Sequence, residues 1–261
     1  MPARSAEGAL RGERMATILV RLREHGEVHA TDLAAEFGVS QATLRRDLAI
    51  LEEQGLCVRR YGGAVPTESS TELPVAYRDR RSKKEKAAVA SAAARMLDPG
   101  PQTVGFTGGT TTSEIARVLS SRVDLVVVTN ALNIASEMAA KPRIRVVVSG
   151  GVARSQSTEL VGPWAESALA QASIGTAYIG VDGIDVVEGL TTHDPVEART
   201  NAVLLERAER VIVVADSSKV GRVLPGRIAP IAAMNVLVTD DGITTEFKAA
   251  LEDRGVKVVI A

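Results

Sequence analysis

Seven apolar runs, each four or five residues long and rich in β-branched side chains, recur through the last two thirds of the chain and leave few folds open. They cover residues 103–106, 125–128, 144–148, 176–179, 211–215, 236–239 and 256–260, and stretches with helical patterning separate most of them. Runs this short and this uniformly apolar are buried on both faces, as in a largely parallel sheet covered by helices. Ligands of such sheets bind at the carboxyl ends of the strands.

Small polar clusters fall at those ends. The first run leads into Thr107-Gly108-Gly109-Thr110-Thr111-Thr112 and then a helix from Ser113 to Leu119. Glycines let a ligand approach the backbone, and free N–H groups at a helix start attract an anion, with a phosphate the natural occupant. No Gly-Lys-Ser/Thr follows, so this is not a Walker loop. The next run ends in Thr129-Asn130, the third in Ser149-Gly150-Gly151 and the fourth in Gly180-Val181-Asp182-Gly183; Thr191-Thr192 lies in the following loop. The fifth ends in Asp216-Ser217-Ser218-Lys219-Val220-Gly221. Lys219 suits a phosphate or carboxylate and Asp182 suits sugar hydroxyls. Any one of these serves equally well as a satisfied turn; their convergence on one edge is what points to a pocket.

The first quarter of the chain carries a different signal. Residues 30–48 read as helix, tight turn, helix, with Thr31 as the cap of the first helix, Gly38 as its end and Ser40 as the cap of the second. Leu44, Leu48 and Leu51 form a buried stripe at i, i+4 and i+7, while Gln41, Thr43, Arg45 and Arg46 project from other faces. A helix with one apolar stripe and small polar and basic residues near its start is one that can lie in the DNA major groove. Ile18, Leu19 and Leu22 mark a supporting helix over 15–24, closed by Gly26. Residues 55–64 read as a short strand and a Gly62-Gly63 turn, a wing whose Arg59 and Arg60 would meet phosphate or minor groove. A three-helix packing domain is the alternative, but it has no need of both arginine pairs.

Composition narrows the rest. The net charge of −1 over 261 residues argues against blanket coating of nucleic acid, so any DNA contact comes from a local basic face. The single cysteine, Cys57, excludes an internal disulfide and is expected on the inner face of the wing strand; His25, His29 and His193 are too scattered for a metal site. Nothing calls for a cofactor or a catalytic group. No apolar run reaches transmembrane length and the start lacks a secretory core, so a cytoplasmic protein without membrane contact is expected. The expected organisation is a flexible arm over 1–12, a winged helix-turn-helix over 13–65, a polar linker over 66–77 and an α/β domain over 78–261.

The segments Gly38-Val39-Ser40, 43–48, 51–56 and Gly62-Gly63-Ala64 together resemble the DNA-binding domain of the DeoR family of bacterial transcription regulators, over about residues 13 to 66. The strand-end clusters resemble that family's C-terminal sensor domain over about residues 75 to 240. The resemblance implies a fold like that of ribose-5-phosphate isomerase and a phosphorylated sugar or related metabolite as effector. It places Gly109, Thr110, Thr111, Gly180, Asp182, Gly183 and Lys219 at the ligand, and it implies repression of sugar-metabolism genes. Two positions depart from the family pattern. Thr107 stands where the family has an aspartate, and Asn201 stands where members often carry lysine. The segment 158–166 resembles a family feature near the pocket or the oligomer interface, with Trp164 fitting either core or contact.

Three functions follow. A regulator binds operator DNA through Thr31, Ser40, Gln41, Thr43, Arg45, Arg46, Arg59 and Arg60, and an effector through residues 107–111, Asn130, Gly150, Gly151, Gly180, Asp182, Gly183 and Lys219. One winged helix reads too little sequence alone, so a homodimer or homotetramer is expected, with half-sites about 10 bp apart or a multiple of it. The resemblance implies that an isomerase carries a second acid three positions before Asp182, where this chain has Ile179; the reaction also needs a positioned base, for which Glu197 and Asp185 are nearby candidates. A scaffold that only oligomerises would have no need of a polar concave edge.

Overall fold

The computed structural model describes residues 3–67, 72–78, 83–122 and 124–261, and the chain divides into Met1–Arg81 and Ser82–Ala261. Residues 68–71 of the expected linker and residues 79–82 lie outside the described residues.

The first unit is three helices and a small sheet: α1 (Ala3–His25), β1 (Val28–His29), α2 (Ala30–Phe37), α3 (Gln41–Glu53), β2 (Cys57–Arg60), β3 (Gly63–Pro66) and a single turn, α4 (Val75–Arg78). Ile18, Leu19 and Leu22 of α1 pack with Leu33 of α2 and with Leu44, Leu48 and Leu51 of α3, all nearly inaccessible. The strands pair antiparallel in the order β1-β3-β2, and Cys57 closes the core from below the wing. Gly38 ends α2 at φ 63°, where a side chain would be strained, and its N–H caps the helix carbonyls.

Several boundaries differ from those expected. No arm covers residues 3–12: α1 begins at Ala3, because Ala and Arg favour helix and because Arg11 and Arg14 reach the carboxylate of Asp47 at 3.0 and 2.6 Å. The segment expected as linker is partly built in. Leu73 is buried in the core, Glu72 is buried and pairs with Arg78, and Tyr77 packs on the same cluster. Thr31 is no cap: α2 starts one residue before it, its N-cap is His29, and the Thr31 hydroxyl turns to Asp32. The wing turn is Tyr61-Gly62 rather than Gly62-Gly63, since Gly63 already pairs with Arg60 and lies so close to the Val28 carbonyl that no Cβ would fit.

The second unit is α/β. After α5 (Lys83–Ala94) come β4 (Gln102–Phe106), α6 (Thr110–Leu119), β5 (Leu125–Thr129), α7 (Leu132–Ala139), β6 (Ile144–Val148), a hairpin of β7 (Val152–Arg154) and β8 (Glu159–Val161), and α8 (Pro163–Leu169). Then follow β9 (Ile174–Gly180), β10 (Gly183–Asp185), β11 (Gly189–Thr192), α9 (Pro195–Glu206), β12 (Ala208–Val214), β13 (Gly226–Ala229), β14 (Val236–Thr239), α10 (Thr245–Glu252) and β15 (Lys257–Ile260). All seven apolar runs form one parallel sheet, in the order β15-β14-β12-β9-β4-β5-β6. Alternate residues feed two cores. Val104, Phe106, Tyr178, Ile212 and Val214 face α5, α6 and α7, while Ala177, Ile179, Val211 and Val213 face α9 and α10. Phe106 and Tyr178 stack at 5.4 Å, and the Tyr178 hydroxyl donates to the Ala93 carbonyl at 3.1 Å, tying α5 to the sheet.

The strand order reverses between β4 and β9, because the chain winds outward in one direction through β5 and β6 and then in the other from β9. A crevice opens outside the carboxyl ends of such a pair.

Asp47→Ala leaves two arginines facing an empty carboxylate site and is expected to destabilise the first unit by about 3 kcal/mol, read by urea unfolding. Burial, with the Glu52 charge adding to it, pushes the Cys57 thiol up to about 11. Cys57 is therefore expected to resist a thiol reagent at pH 8 until denaturant is added.

Candidate functional site

The first unit presents a helix with two faces. Ser40 caps α3, its hydroxyl oxygen accepting from Thr43 N–H at 3.2 Å and lying 2.9 Å from Thr43 Oγ1. That hydroxyl contact leaves Thr43 half-buried, whereas Gln41, Arg45 and Arg46 are exposed. Among the described residues, Arg45, Arg46 and Arg60 take part in no ion pair. Unpaired arginines on an exposed face have no intramolecular ion pair to break and remain available to base edges and phosphates. Arg59 differs. Its backbone N–H and its guanidinium both bind the Glu52 carboxylate of α3, at 2.9 and 2.6 Å, and these bonds, the backbone one first, hold that carboxylate below its usual range. Arg59 thus fastens the wing to α3, and Arg60 is the exposed, unpaired arginine of the wing. Sequence reasoning missed Tyr61, which stands fully exposed at the wing tip.

In the second unit the strand ends meet at the crevice between β4 and β9. α6 has no side-chain cap: Gly109, at φ 131°, occupies the N-cap position. The N–H groups of Thr110, Thr111 and Thr112 therefore open its first turn without intrahelical acceptors. Ser113 and Thr112 hydroxyls donate back to the Gly109 carbonyl at 2.6 and 3.0 Å and fix the loop. Thr107 is fully buried, and its hydroxyl accepts from Gly180 N–H at 2.9 Å, bridging β4 to β9 across the reversal point. Its side chain is thus spent on the fold, as is Gly183, which sits against the Arg222 carbonyl and the Thr191 hydroxyl with no room for a Cβ.

Three carboxylates lie within this edge, each less than a tenth exposed: Glu159, Asp182 and Glu197. Asp182 takes Lys219 Nζ at 3.1 Å on one oxygen. Its other oxygen lies 3.2 Å from Thr192 Oγ1, which is also 2.7 Å from Glu197 Oε1, one hydroxyl serving two acids. Glu197 in turn holds Arg154 Nη1 at 3.0 Å. Glu159 accepts from Gly108 N–H and, at 3.3 Å, from Asn201 Nδ2, and Asn201 accepts from Asn130 Nδ2 at 3.0 Å. The two networks adjoin, because Arg154 and Glu159 are directly paired across the β7–β8 hairpin and Asn201 follows Glu197 by one turn of α9.

Thus Gly108, Gly109, Asn130, Gly180, Asp182 and Lys219 are brought to one edge. Gly150 and Gly151 are instead the root of the β7–β8 hairpin, Gly150 exposed and Gly151 packed on Val161. Trp164 belongs to no core, being 77% exposed at the start of α8. Arg154 was not singled out from sequence; Thr192 was named only as part of a polar pair near the strand ends, Glu159 only within the segment 158–166, and Glu197 only as a base for the isomerase reading. Among the described residues no cluster of His, Cys, Asp and Glu has the arrangement to hold a metal ion, and no helix is long and apolar enough to cross a membrane.

A recognition helix with free arginines beside a wing, joined to an α/β domain with a polar ligand edge, defines a DNA-binding regulator with a sensing domain. Residues 14–70 match the DeoR-like helix-turn-helix domain and residues 81–241 the DeoR C-terminal sensor domain. The chain belongs to the DeoR family of transcription regulators. It is 38% identical to a putative aga operon transcriptional repressor of Escherichia coli O157:H7, over 95% of this chain and 93% of that one. It is 35% identical to the transcriptional repressor AccR of Agrobacterium fabrum, over 95% and 97% of the two chains. It is also 31% identical to the glycerol-3-phosphate regulon repressor of Escherichia coli K12, over 85% and 88%. Among solved structures, ribose 5-phosphate isomerase A of Methanocaldococcus jannaschii overlays on 53% of this chain and 54% of its own at a TM-score of 0.39 and 17% identity. With relatives that are repressors, the chain is a regulator and not an isomerase.

Arg46→Ala is expected to cost specific DNA binding about 1–3 kcal/mol, measured by fluorescence anisotropy on a selected duplex, with folding unchanged. Arg60→Ala should weaken binding to all sequences alike and reduce the salt slope by about one. Arg59→Ala should instead lower stability of the first unit; equal salt slopes for the two wing variants would contradict the assignment.

Proposed function

We propose that this protein is a repressor of sugar-metabolism genes whose hold on operator DNA is relieved by a phosphorylated sugar bound at the β4/β9 crevice. The observation that carries this reading is the opposition of chemistries at one edge. The uncapped start of α6 offers unpaired N–H groups to an anion, while Asp182, Glu197 and Asn130 offer acceptors to hydroxyls. A phosphorylated polyol has both ends. Lys219 completes the set, orienting Asp182 and offering the crevice a cation. Gln41, Thr43, Arg45 and Arg46 of α3 read base edges and phosphates, and Arg60 reaches the backbone from the wing. Ser40 sets the start of the helix, and Arg59 and Thr31 are left with structural parts. The protein acts in the cytoplasm as a homodimer or homotetramer, since a single α3 reads only one half-site. Release requires that the sugar phosphate bind the DNA-free arrangement more tightly than the DNA-bound one.

Thermal unfolding of the purified protein against a panel of sugar phosphates, with the matching free sugars alongside, tests the ligand class. A ligand at 100 times its Kd adds about 2.7 kcal/mol to the folded state. One phosphorylated sugar is expected to stabilise the protein and its free sugar is not. Lys219→Ala should abolish most of the shift while leaving effector-free DNA affinity intact. No shift with any sugar phosphate would overturn the reading and favour a domain that only oligomerises.

A further inference from the structure

One N–H of the anion cradle before α6 is already taken by the protein itself. The first of its N–H groups, on Gly108, donates to the Glu159 carboxylate. The contact is so close that a Cβ on Gly108 would fall onto the Glu159 side chain. Glu159 is only 2% exposed, so this is a built interaction and not a surface rotamer. Its other oxygen is held by the Asn201 amide. A carboxylate standing where an anion would bind makes the cradle harder for a phosphate to enter.

A second, independent observation shows that something else belongs there. Asn130 is fully buried and donates to Asn201, but its own Oδ1 has no hydrogen-bond partner. Buried acceptors are normally satisfied, and an orphan fixed by its own amide at a strand end is an acceptor waiting for a donor. A ligand hydroxyl supplies one; a carboxylate such as Glu159 cannot.

We propose that Glu159 is an internal competitor for the effector's anionic group and sets its selectivity. A phosphate takes the Gly108 N–H by displacing the Glu159 carboxylate, while a ligand hydroxyl donates to Asn130 Oδ1. The backbone around Glu159 stays in place, because Leu160 N–H donates to the Asn130 carbonyl at 2.7 Å and Leu132 N–H to the Thr158 carbonyl at 3.0 Å. Only the side chain needs to swing. A neutral sugar has no charge with which to drive the exchange, so the competitor rejects unphosphorylated sugars. This rests on the effector site proposed above.

The test is calorimetric titration of the full-length protein and of Glu159→Gln and Glu159→Ala with inorganic phosphate and with the sugar-phosphate panel. Glutamine keeps the shape and the Asn201 neighbour but removes the charge; alanine removes the competitor and serves if the amide perturbs folding. Both variants are expected to bind phosphate compounds about tenfold more tightly than the natural protein, a charged hydrogen bond having been replaced by a weaker one or none, while free sugars gain nothing. Phosphate binding to the natural protein that is equal or weaker in both variants would overturn the competitor and leave the effector site standing. Absence of binding to all three forms would overturn both.

Discussion

Burying a carboxylate is costly unless it is met by donors or cations, and the second unit buries several at one end of its sheet, three of them in one connected edge. That constraint organises the edge. Asp182 requires Lys219, Glu197 requires Arg154, and Glu159 requires Gly108 N–H and Asn201, so that loops from four strands and one face of α9 are fixed relative to one another. Thr192, between two of the acids, and Thr107, between two of the strands, close the arrangement. The edge is polar without being solvated, which is the condition for reading a ligand's hydroxyls and charge rather than its bulk. It stands where the strand order reverses, and the fold leaves the crevice there for topological reasons independent of the residues that line it.

The first unit applies the same economy to a different task. Its apolar stripe fixes the rotation of α3, and the exposed face then carries Gln41, Arg45 and Arg46 whether or not DNA is present. Asp47, on the buried side of the same helix, is the counter-charge that holds α1 against α3 through Arg11 and Arg14. Adjacent residues of one helix thus divide between holding the unit together and standing exposed, where the proposed DNA contact needs them. The wing is divided likewise, with Arg59 bound to Glu52 and Arg60 left exposed.

What the chain reveals on reading follows from the range of the physics involved. The seven sheet strands are legible because each is a short β-branched run bounded by turn residues, and all seven fall in one sheet. The α3 stripe and the Gly38 and Ser40 boundaries are legible because they are local. Long-range pairings are not. Nothing around Asp47 announces an arginine 36 residues earlier, and nothing around Glu159 announces Gly108, 51 residues earlier. In each case a charged residue in a polar stretch reads as solvated until the fold buries it. The same blindness made residues 3–12 look like an arm and 72–77 like a linker, when Arg11 and Leu73 tie both to the first unit. Thr107 shows the converse: it looked like a ligand residue and proves to be a brace between strands.

The central claim is that occupation of the β4/β9 crevice changes how α3 holds DNA. The direct measurement is the equilibrium affinity of the full-length protein for a duplex selected from random sequence, with and without the sugar phosphate that stabilises it most. The account predicts that DNA affinity falls as the sugar phosphate is added, at concentrations matching its own Kd, and that the free sugar has no effect. DNA affinity unchanged at saturating sugar phosphate would contradict it.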